Sequence, residues 1–595
     1  MTRTYPLTWG AQVRDDGVRF RLWAPDAASV ALVVCDDIER NVQMDRLPNG
    51  WFETVDPDSE PGTRYQYEID GERRVADPAA RFAPDGPAMP SEVIDPADFS
   101  WPRESIVRPF EEMVFYELHI GAFTASGTYA EAETRLTHLV DLGITAIELM
   151  PLAERPGARN WGYDGVLAYA PSMRYGRPEE LKAFIVAAHE HGLAVFLDVV
   201  YNHFGPQDNY LNAYARHFFT PAHHTPWGNA IDYASVENDP VRRFIVENAC
   251  YWLYEYCFDG LRLDATQEIY DERREHILRE LATSARASVD RQVYLVVEDD
   301  RNYLENFARG YDAQWNDDVH HCLHVALTGE RDGYYRDYFD DPVGLLGKAL
   351  TQGFAYQGEP SPFRDGRSRG AASRGIPLKS FVNCLQNHDQ IGNRAFGERI
   401  TDLAPAEAVR AAVATLLLAP SPPLLFMGEE WAATSPFLFF CDFEPNLAKL
   451  VTEGRRNEFA RFAKFSDPRA RERIPDPSSD ETFARSKLHW NELVESEHRD
   501  WLGFYQRLLQ IRRSEVAPRI AAVSSEGTGY EMRGKRGLCA WWNAGGEVLR
   551  LEANLGGAPQ DGFERSGDGR ILFETEPAFA SGTAPSWSVR WTLGR

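Results

Sequence analysis

The sequence predicts an α/β protein: a closed (β/α)8 barrel flanked by an N-terminal β-sandwich and a small C-terminal β domain. Three observations carry this. From residue 113, apolar strand-like runs alternate with amphipathic helical stretches, and eight such runs can be counted. Before them stand short strand candidates punctuated by Gly, Pro and Asp, and after about residue 515 short strands return. At 595 residues the chain is also too long for one core.

In the first hundred residues, GVRFRLWAP, SVALVVC and RYQYEID alternate or run apolar between turn residues, which suggests an antiparallel sandwich. The Pro-rich ADPAARFAPDGPAMP joins this sandwich to the alternating region. MVFYELHI opens the alternation, YAEAETRLTHLVDLG reads as a helix, and AIELMPL is the second strand. In LKAFIVAAHEHG, residues Leu181, Phe184, Ile185 and Ala188 share one helical face, and Gly192 stands where a left-handed terminus is wanted. AVFLDVV, LRLDA, VYLVVED, YDAQWND, SFVNCLQNHD and PLLFMGEE complete the eight strands. An open doubly wound sheet would need a phosphate-binding glycine turn, and neither GxGxxG nor GxxxxGK[ST] occurs. GLCAWWN and SWSVRWTL belong to the closing β domain. The expected division is 1–100, 101–515 and 516–595.

Composition narrows the partners. The net charge of −27 disfavours nucleic acid and anionic membranes, so a neutral ligand fits best. Seven scattered cysteines form neither a paired framework nor a CxxC motif, which suggests a reducing compartment. MTRTYPLTWG lacks a signal-peptide layout, and no stretch of about 18 apolar residues occurs, so a cytoplasmic location is expected.

In barrels of this kind the chemistry lies at the C-terminal ends of the strands. Here those ends are charged: Asp198, Asn202 and His203; Arg262 and Asp264; Glu298, Asp299 and Asp300; Asn387, His388 and Asp389. Arg262 and Asp264 are two apart on one strand and so share a face; alone, the pair would suit a surface ion pair. Any single ending could be a helix cap, but four carboxylate-rich endings at one mouth repel one another and need another reason. Glycoside hydrolysis supplies one, because it needs a carboxylic acid to protonate the leaving oxygen and a carboxylate to attack or to activate water. A guanidinium beside Asp264 would keep that group ionised, while Glu298 in apolar surroundings would stay protonated.

DVVYNH, GLRLDA, VVED and QNHD, in that order, resemble the four signature regions of the α-amylase clan of glycoside hydrolases. The resemblance implies a retaining mechanism with Asp264 as nucleophile, Glu298 as acid/base and Asp389 as transition-state stabiliser. Arg262, His203 and His388 are then sugar contacts, and the two reacting carboxyls are expected roughly 5 to 5.5 Å apart. NWGYDGVLAYAP, EDDRN, DAQWNDDVHHCLHVALTGE, LLFMGEEWAATSPFLFF and FARSKLHW are similar to a narrower family, the maltooligosyltrehalose trehalohydrolases. Val297 is a small departure from the α-amylase clan, whose members usually carry a smaller residue before the acid. This family implies an oligosaccharide substrate, maltooligosyl trehalose, and no cofactor.

By the same resemblance Asn316, Asp317, Asp318 and His320 contact sugar hydroxyls, and Trp315 offers a ring face; a capped helix start with a core Trp is the alternative. Tyr163, Gln267, Gln390 and Asn393 are further substrate-binding candidates, with Trp161 beside Tyr163 in a Gly-flanked loop. His320, His321 and His324 invite a metal reading, but only two of the three can share a helical face. His223 and His224 lie between prolines and suit a loop. No metal site is assigned. A glycogen branching enzyme and a non-catalytic glucan-binding protein are the alternative functions. Self-association is left open by the sequence, with a monomer compatible.

Overall fold

The computed structural model describes residues 2–595 except 37, 103–107, 236–238, 466, 564–568, 577, 578, 580 and 581. Its centre is a closed parallel barrel of β1 (Phe115–Leu118), β2 (Ala146–Leu149), β3 (Ala194–Val199), β4 (Gly260–Leu263), β5 (Tyr294–Val297), β6 (Ala313–Trp315), β7 (Phe381–Cys384) and β8 (Pro423–Phe426). The strands pair in sequence order, and β1 closes the ring on β8 through Phe115 against Leu424 and Glu117 against Phe426. All eight expected runs are therefore strands of one ring.

Side-chain alternation then sorts each strand into two environments. Phe115, Ala146, Ala194, Phe196, Tyr294, Val296, Ala313 and Leu424 fill the inside of the barrel as one cluster. Ile147, Val195, Leu197, Leu261, Leu263 and Leu295 belong to the larger core outside the ring, shared with the helices. Size matters in the inner layer. A Cβ on Gly260 would lie 2.1 Å from the Phe196 ring, so only glycine at the start of β4 leaves room for that phenylalanine. Period two carries Phe196 to Asp198, Gly260 to Arg262 and Asp264, and Tyr294 to Val296 and Glu298. The apolar plug thus gives way to charge at the C-terminal mouth.

Helix α1 (Pro178–Glu190) buries Leu181, Phe184, Ile185 and Ala188 and ends before Gly192 at φ 74°, as its spacing implies. One expected helix is divided. YAEAETRLTHLVDLG forms Tyr129–Glu133 and Leu136–Leu142, because Thr134 turns its hydroxyl back onto the Glu131 carbonyl at 2.7 Å and closes the first piece. Helix α2 (Asp239–Glu255) precedes β4, α3 (Asp317–Thr328) follows β6, and the short α4 (His388–Gly392) follows β7.

The N-terminal strands form two antiparallel sheets. Gly17–Trp23 and Trp51–Asp56 lie in one, Val30–Val34 and Arg64–Ile69 in the other. Arg81 ties this sandwich to the barrel through a buried pair with Glu255 of α2 at 3.1 Å. The C-terminal strands Val523–Arg533, Gly537–Ala544, Glu547–Asn554, Arg570–Glu574 and Ser588–Gly594 make a five-stranded antiparallel sheet. Its stacked Trp542 and Trp591 donate to the barrel-side carbonyls of Leu350 and Ala414, at 3.1 and 3.0 Å. Among the described residues no helix is long and apolar enough to cross a membrane.

Candidate active site

Arg262 is the centre of the mouth. It is fully buried, and its guanidinium reaches three carboxyls: Nη1 contacts Asp198 at 2.6 Å and Asp264 at 3.1 Å, and Nη2 contacts Glu298 at 2.7 Å. Registry explains the set. Asp198 on β3 pairs directly with Arg262 on β4, Asp264 continues the same face, and Glu298 extends β5 next to it. The surface-ion-pair alternative for Arg-x-Asp therefore fails, because this pair lies inside the ring.

The turn after Asp264 completes the arrangement. Ala265 adopts a left-handed φ of 40°, unusual for a residue with a Cβ, and so points its N–H at Glu298 Oε2, 3.0 Å away. Glu298 Oε2 thus accepts from Arg262 and Ala265, while no described residue engages Oε1. Asn202 donates from Nδ2 to Asp264 Oδ2 at 2.8 Å, which orients that carboxylate from the β3 side.

One cation cannot neutralise three buried anions, so part of the cluster holds a proton at neutral pH. Burial raises the pKa of Glu298, Arg262 opposes that rise, and the charge of Asp264 reinforces it. Burial pushes Asp198 up to about 7 despite Arg262. Asp389 is likewise raised by burial, against the pull of His388 and with the push of Glu298.

His388 and Asp389 open α4 on the far side of the mouth. Asn387 caps that helix by accepting from the Gln390 N–H at 2.9 Å. The His388 ring is stacked on Tyr163 with centroids 5.1 Å apart, and its Nε2 is 2.8 Å from the Tyr163 hydroxyl and 3.4 Å from Asp389 Oδ1. Tyr163 also donates to Asp198 at 2.7 Å, so it links the two halves of the mouth. Asn393 donates to Asp389 Oδ1 at 3.1 Å, and Gln390 accepts from Tyr334 at 3.4 Å. Gln267 brings a buried Oε1 that no described residue engages.

The NDDVH residues separate. Asp317 joins the mouth: burial and the neighbouring Glu298 push its pKa up to about 7. Asn316, Asp318 and His320 are each held by protein partners. Asn316 donates to Gly353 O and Asn383 Oδ1, both at 2.9 Å. Asp318 accepts from Ala355 N–H at 2.7 Å and Asn302 at 2.9 Å and pairs with Arg369 at 3.2 Å. His320 bonds the Leu385 carbonyl at 2.6 Å and the Tyr335 hydroxyl at 3.2 Å. These groups hold loops together.

Two tryptophans also take other roles than expected. Trp315 lies in the mouth, but its face is covered by the Arg262 guanidinium, 4.0 Å from the ring centroid, so it supports that cation in place of a sugar. Trp161 is 4% exposed, donates to Leu438 O at 2.9 Å and stacks on Phe437, a wall behind His388. His203 is buried too, with Nε2 on the Tyr163 carbonyl at 2.9 Å and its ring stacked 3.9 Å from Trp227. Trp227, Tyr334 and Glu117 are neighbours of the mouth that sequence reasoning missed. Among the described residues no cluster of three or more His, Cys, Asp or Glu is arranged to hold a metal ion.

Comparison with known proteins agrees with this architecture. Residues 8–85 match carbohydrate-binding module 48 (isoamylase N-terminal domain), residues 121–234 the alpha amylase catalytic domain, and residues 525–591 a domain of unknown function (DUF3459). The malto-oligosyltrehalose trehalohydrolase of Deinococcus radiodurans is 43% identical over 515 residues, covering 86% of this chain and 82% of that one. The enzyme of the same name from Saccharolobus solfataricus is 40% identical, over 85% and 87% of the two chains. A crystal structure of a Salmonella typhimurium protein assigned as an alpha amylase superposes with a TM-score of 0.93 at 41% identity, covering 99% and 100%. An Anoxybacillus pullulanase with maltotetraose, 17% identical, shares the fold at a TM-score of 0.71 over 99% and 88%. By these relationships the chain is a glycoside hydrolase and belongs to the malto-oligosyltrehalose trehalohydrolase family.

Proposed function

We propose that this protein hydrolyses the α-1,4-glucosidic bond next to the terminal trehalose unit of maltooligosyl trehalose, with retention, and releases trehalose. The observation that carries the mechanism is the grip of one guanidinium, by separate nitrogens, on Asp264 and Glu298. Asp264, paired with Arg262 and oriented by Asn202, attacks the anomeric carbon. Glu298, raised in pKa by burial, gives its proton to the glycosidic oxygen, and trehalose leaves with that proton. Glu298, now a carboxylate, takes a proton from water as the water oxygen attacks the glycosyl ester, freeing Asp264 and a shortened maltooligosaccharide. Asp389 faces the cationic transition state from α4. Tyr163, Gln267, Asp317, His388, Gln390 and Asn393 bind sugar, and His203 and Trp315 support them from behind.

We assign residues 1–100, 101–515 and 516–595 to glucan-binding, catalytic and C-terminal domains, and place the protein in the cytoplasm, in trehalose formation. Incubation with maltooligosyl trehalose followed by chromatography tests the reading: trehalose appears, and its absence refutes it. A branching reaction is the second reading, favoured by a 34% identical stretch of 290 residues shared with the Vibrio parahaemolyticus branching enzyme, 44% of this chain. Branch points in treated amylose would favour it; none are expected.

A further inference from the structure

Glu117 on β1 and Glu148 on β2 are paired in register inside the barrel, directly beneath the mouth, and each is 1% exposed. They are treated differently by their surroundings. Neither oxygen of Glu148 has a hydrogen-bond partner among the described residues, and burial together with the charge of Glu117 raises its pKa strongly, which favours its neutral form. Glu117 is fully engaged: Oε2 accepts the His388 backbone N–H at 2.9 Å and Oε1 contacts His388 Nδ1 at 2.5 Å. Two bonds from one carboxylate to one residue fix both the start of α4 and the tilt of its imidazole. With Nδ1 bound to Glu117, Nε2 points at Asp389 and the Tyr163 hydroxyl.

We propose that Glu117 is a positioning residue: by holding Nδ1–H of His388 it keeps a second proton on Nε2, so that this nitrogen remains a donor to the Tyr163 hydroxyl and a positive charge beside Asp389, at the rim where sugar binds, through neutral pH. The inference rests on the functional reading above. The groups that face His388 are Glu117 and His119 from β1 and its end, Glu148 from β2, Tyr163 from the following loop, Arg262 from β4, Glu298 after β5, and Asp389 beside it. Burial works against the charged imidazole, but Glu117, then Asp389, outweigh burial and Arg262 and raise its pKa to about 9. Removing the Glu117 charge leaves burial and Arg262 to dominate, and the ring becomes neutral near or below its ordinary pKa of about 6.5.

The test uses the full chain carrying Glu298→Gln, which binds substrate without turning it over. Its affinity for a maltooligosyl trehalose is followed by calorimetry from pH 5.5 to 10. With Glu117 present, affinity holds to about pH 8 and falls through about 9. With Glu117→Gln added, the fall moves down by two pH units or more, and affinity at pH 8 drops on the order of tenfold, the effect of losing one charged hydrogen bond. Glu117→Asp keeps the charge and keeps the break near 9. A loss in Glu117→Gln that is equal at every pH marks a merely structural residue and overturns the proposal. A break below about pH 7.5 with Glu117 in place also overturns it, even where Glu117→Gln fails to fold. If maltooligosyl trehalose does not bind at any pH, the substrate reading fails instead, and the same break is measured with a plain maltooligosaccharide.

Discussion

Replacing Arg262 by Met, similar in length and apolar, would leave Asp198, Asp264 and Glu298 in a buried mouth with no cation between them. Each of the contacts at 2.6, 3.1 and 2.7 Å is a charge-assisted bond. Their gross strength is offset by the cost of dehydrating the ions, so the net effect follows from stranding the partners, about 3–5 kcal/mol of stability at pH 7. The carboxyls would take up protons in response. The deficit should therefore shrink at pH 5, by about 1 kcal/mol or more. Activity should suffer separately, because Asp264 loses its 3.1 Å contact with Arg262 and is less well aimed. A fall in kcat on the order of 10²–10³-fold is expected. Arg262→Lys should recover little, because one ammonium cannot serve three carboxyls from two nitrogens. Urea unfolding at both pH values and steady-state kinetics provide the assay. A variant within about 1 kcal/mol of the parent at both pH values, with kcat within tenfold, would refute the reasoning.

Asp264→Asn and Glu298→Gln should each lower kcat by about 10²–10⁴-fold or more while substrate affinity, by calorimetry, changes little; full activity in either removes its role. Stability should fall from pH 7 to 9.5, above the range in which the buried histidines His119, His203, His276 and His320, depressed to about 3 or 4, gain stability with rising pH. Asp198, Asp317 and Glu429 have folded pKa values of about 7 and His388 about 9, all above their ordinary values, so each contribution is complete at low pH and lost as pH rises. His388 alone accounts for about 3 kcal/mol, lost between about pH 6.5 and 9, and a thermal midpoint that climbs from pH 7 to 9.5 would contradict this. Gly392→Ala would place a Cβ 2.0 Å from the Trp161 ring, with no slack on either side. It should destabilise by about 1–3 kcal/mol and, by displacing α4 and Asp389, lower kcat more than it raises KM.

The barrel was legible because its strands are apolar runs of suitable length, and the inward face of β4 could be read from the alternation of Leu261 and Leu263 with Arg262 and Asp264. The polar endings at 198, 264, 298 and 389 stood out for the same reason: each interrupts an apolar run at its C-terminal end. Glu117 did not stand out. In MVFYELHI a single glutamate looks like a solvent-side residue of a half-buried strand, and only closure of the ring brings it to His388, 271 positions away. For Asn316, Asp318 and His320 the sequence suggested a role in substrate binding but not their protein partners: Gly353, Ala355, Leu385 and Arg369 come from later segments whose approach no local pattern records. Trp161 shows the limit of loop placement as a guide, since a loop between β2 and α1 can still pack its indole against Phe437.

Two carboxyls acting in turn on one glycosidic bond, one as nucleophile and one as acid, require a double displacement. Proton NMR of the first minutes of maltooligosyl trehalose hydrolysis reads this directly. Double displacement predicts trehalose together with a new reducing end that appears first as the α-anomer and then mutarotates. A β-anomer appearing first would contradict it.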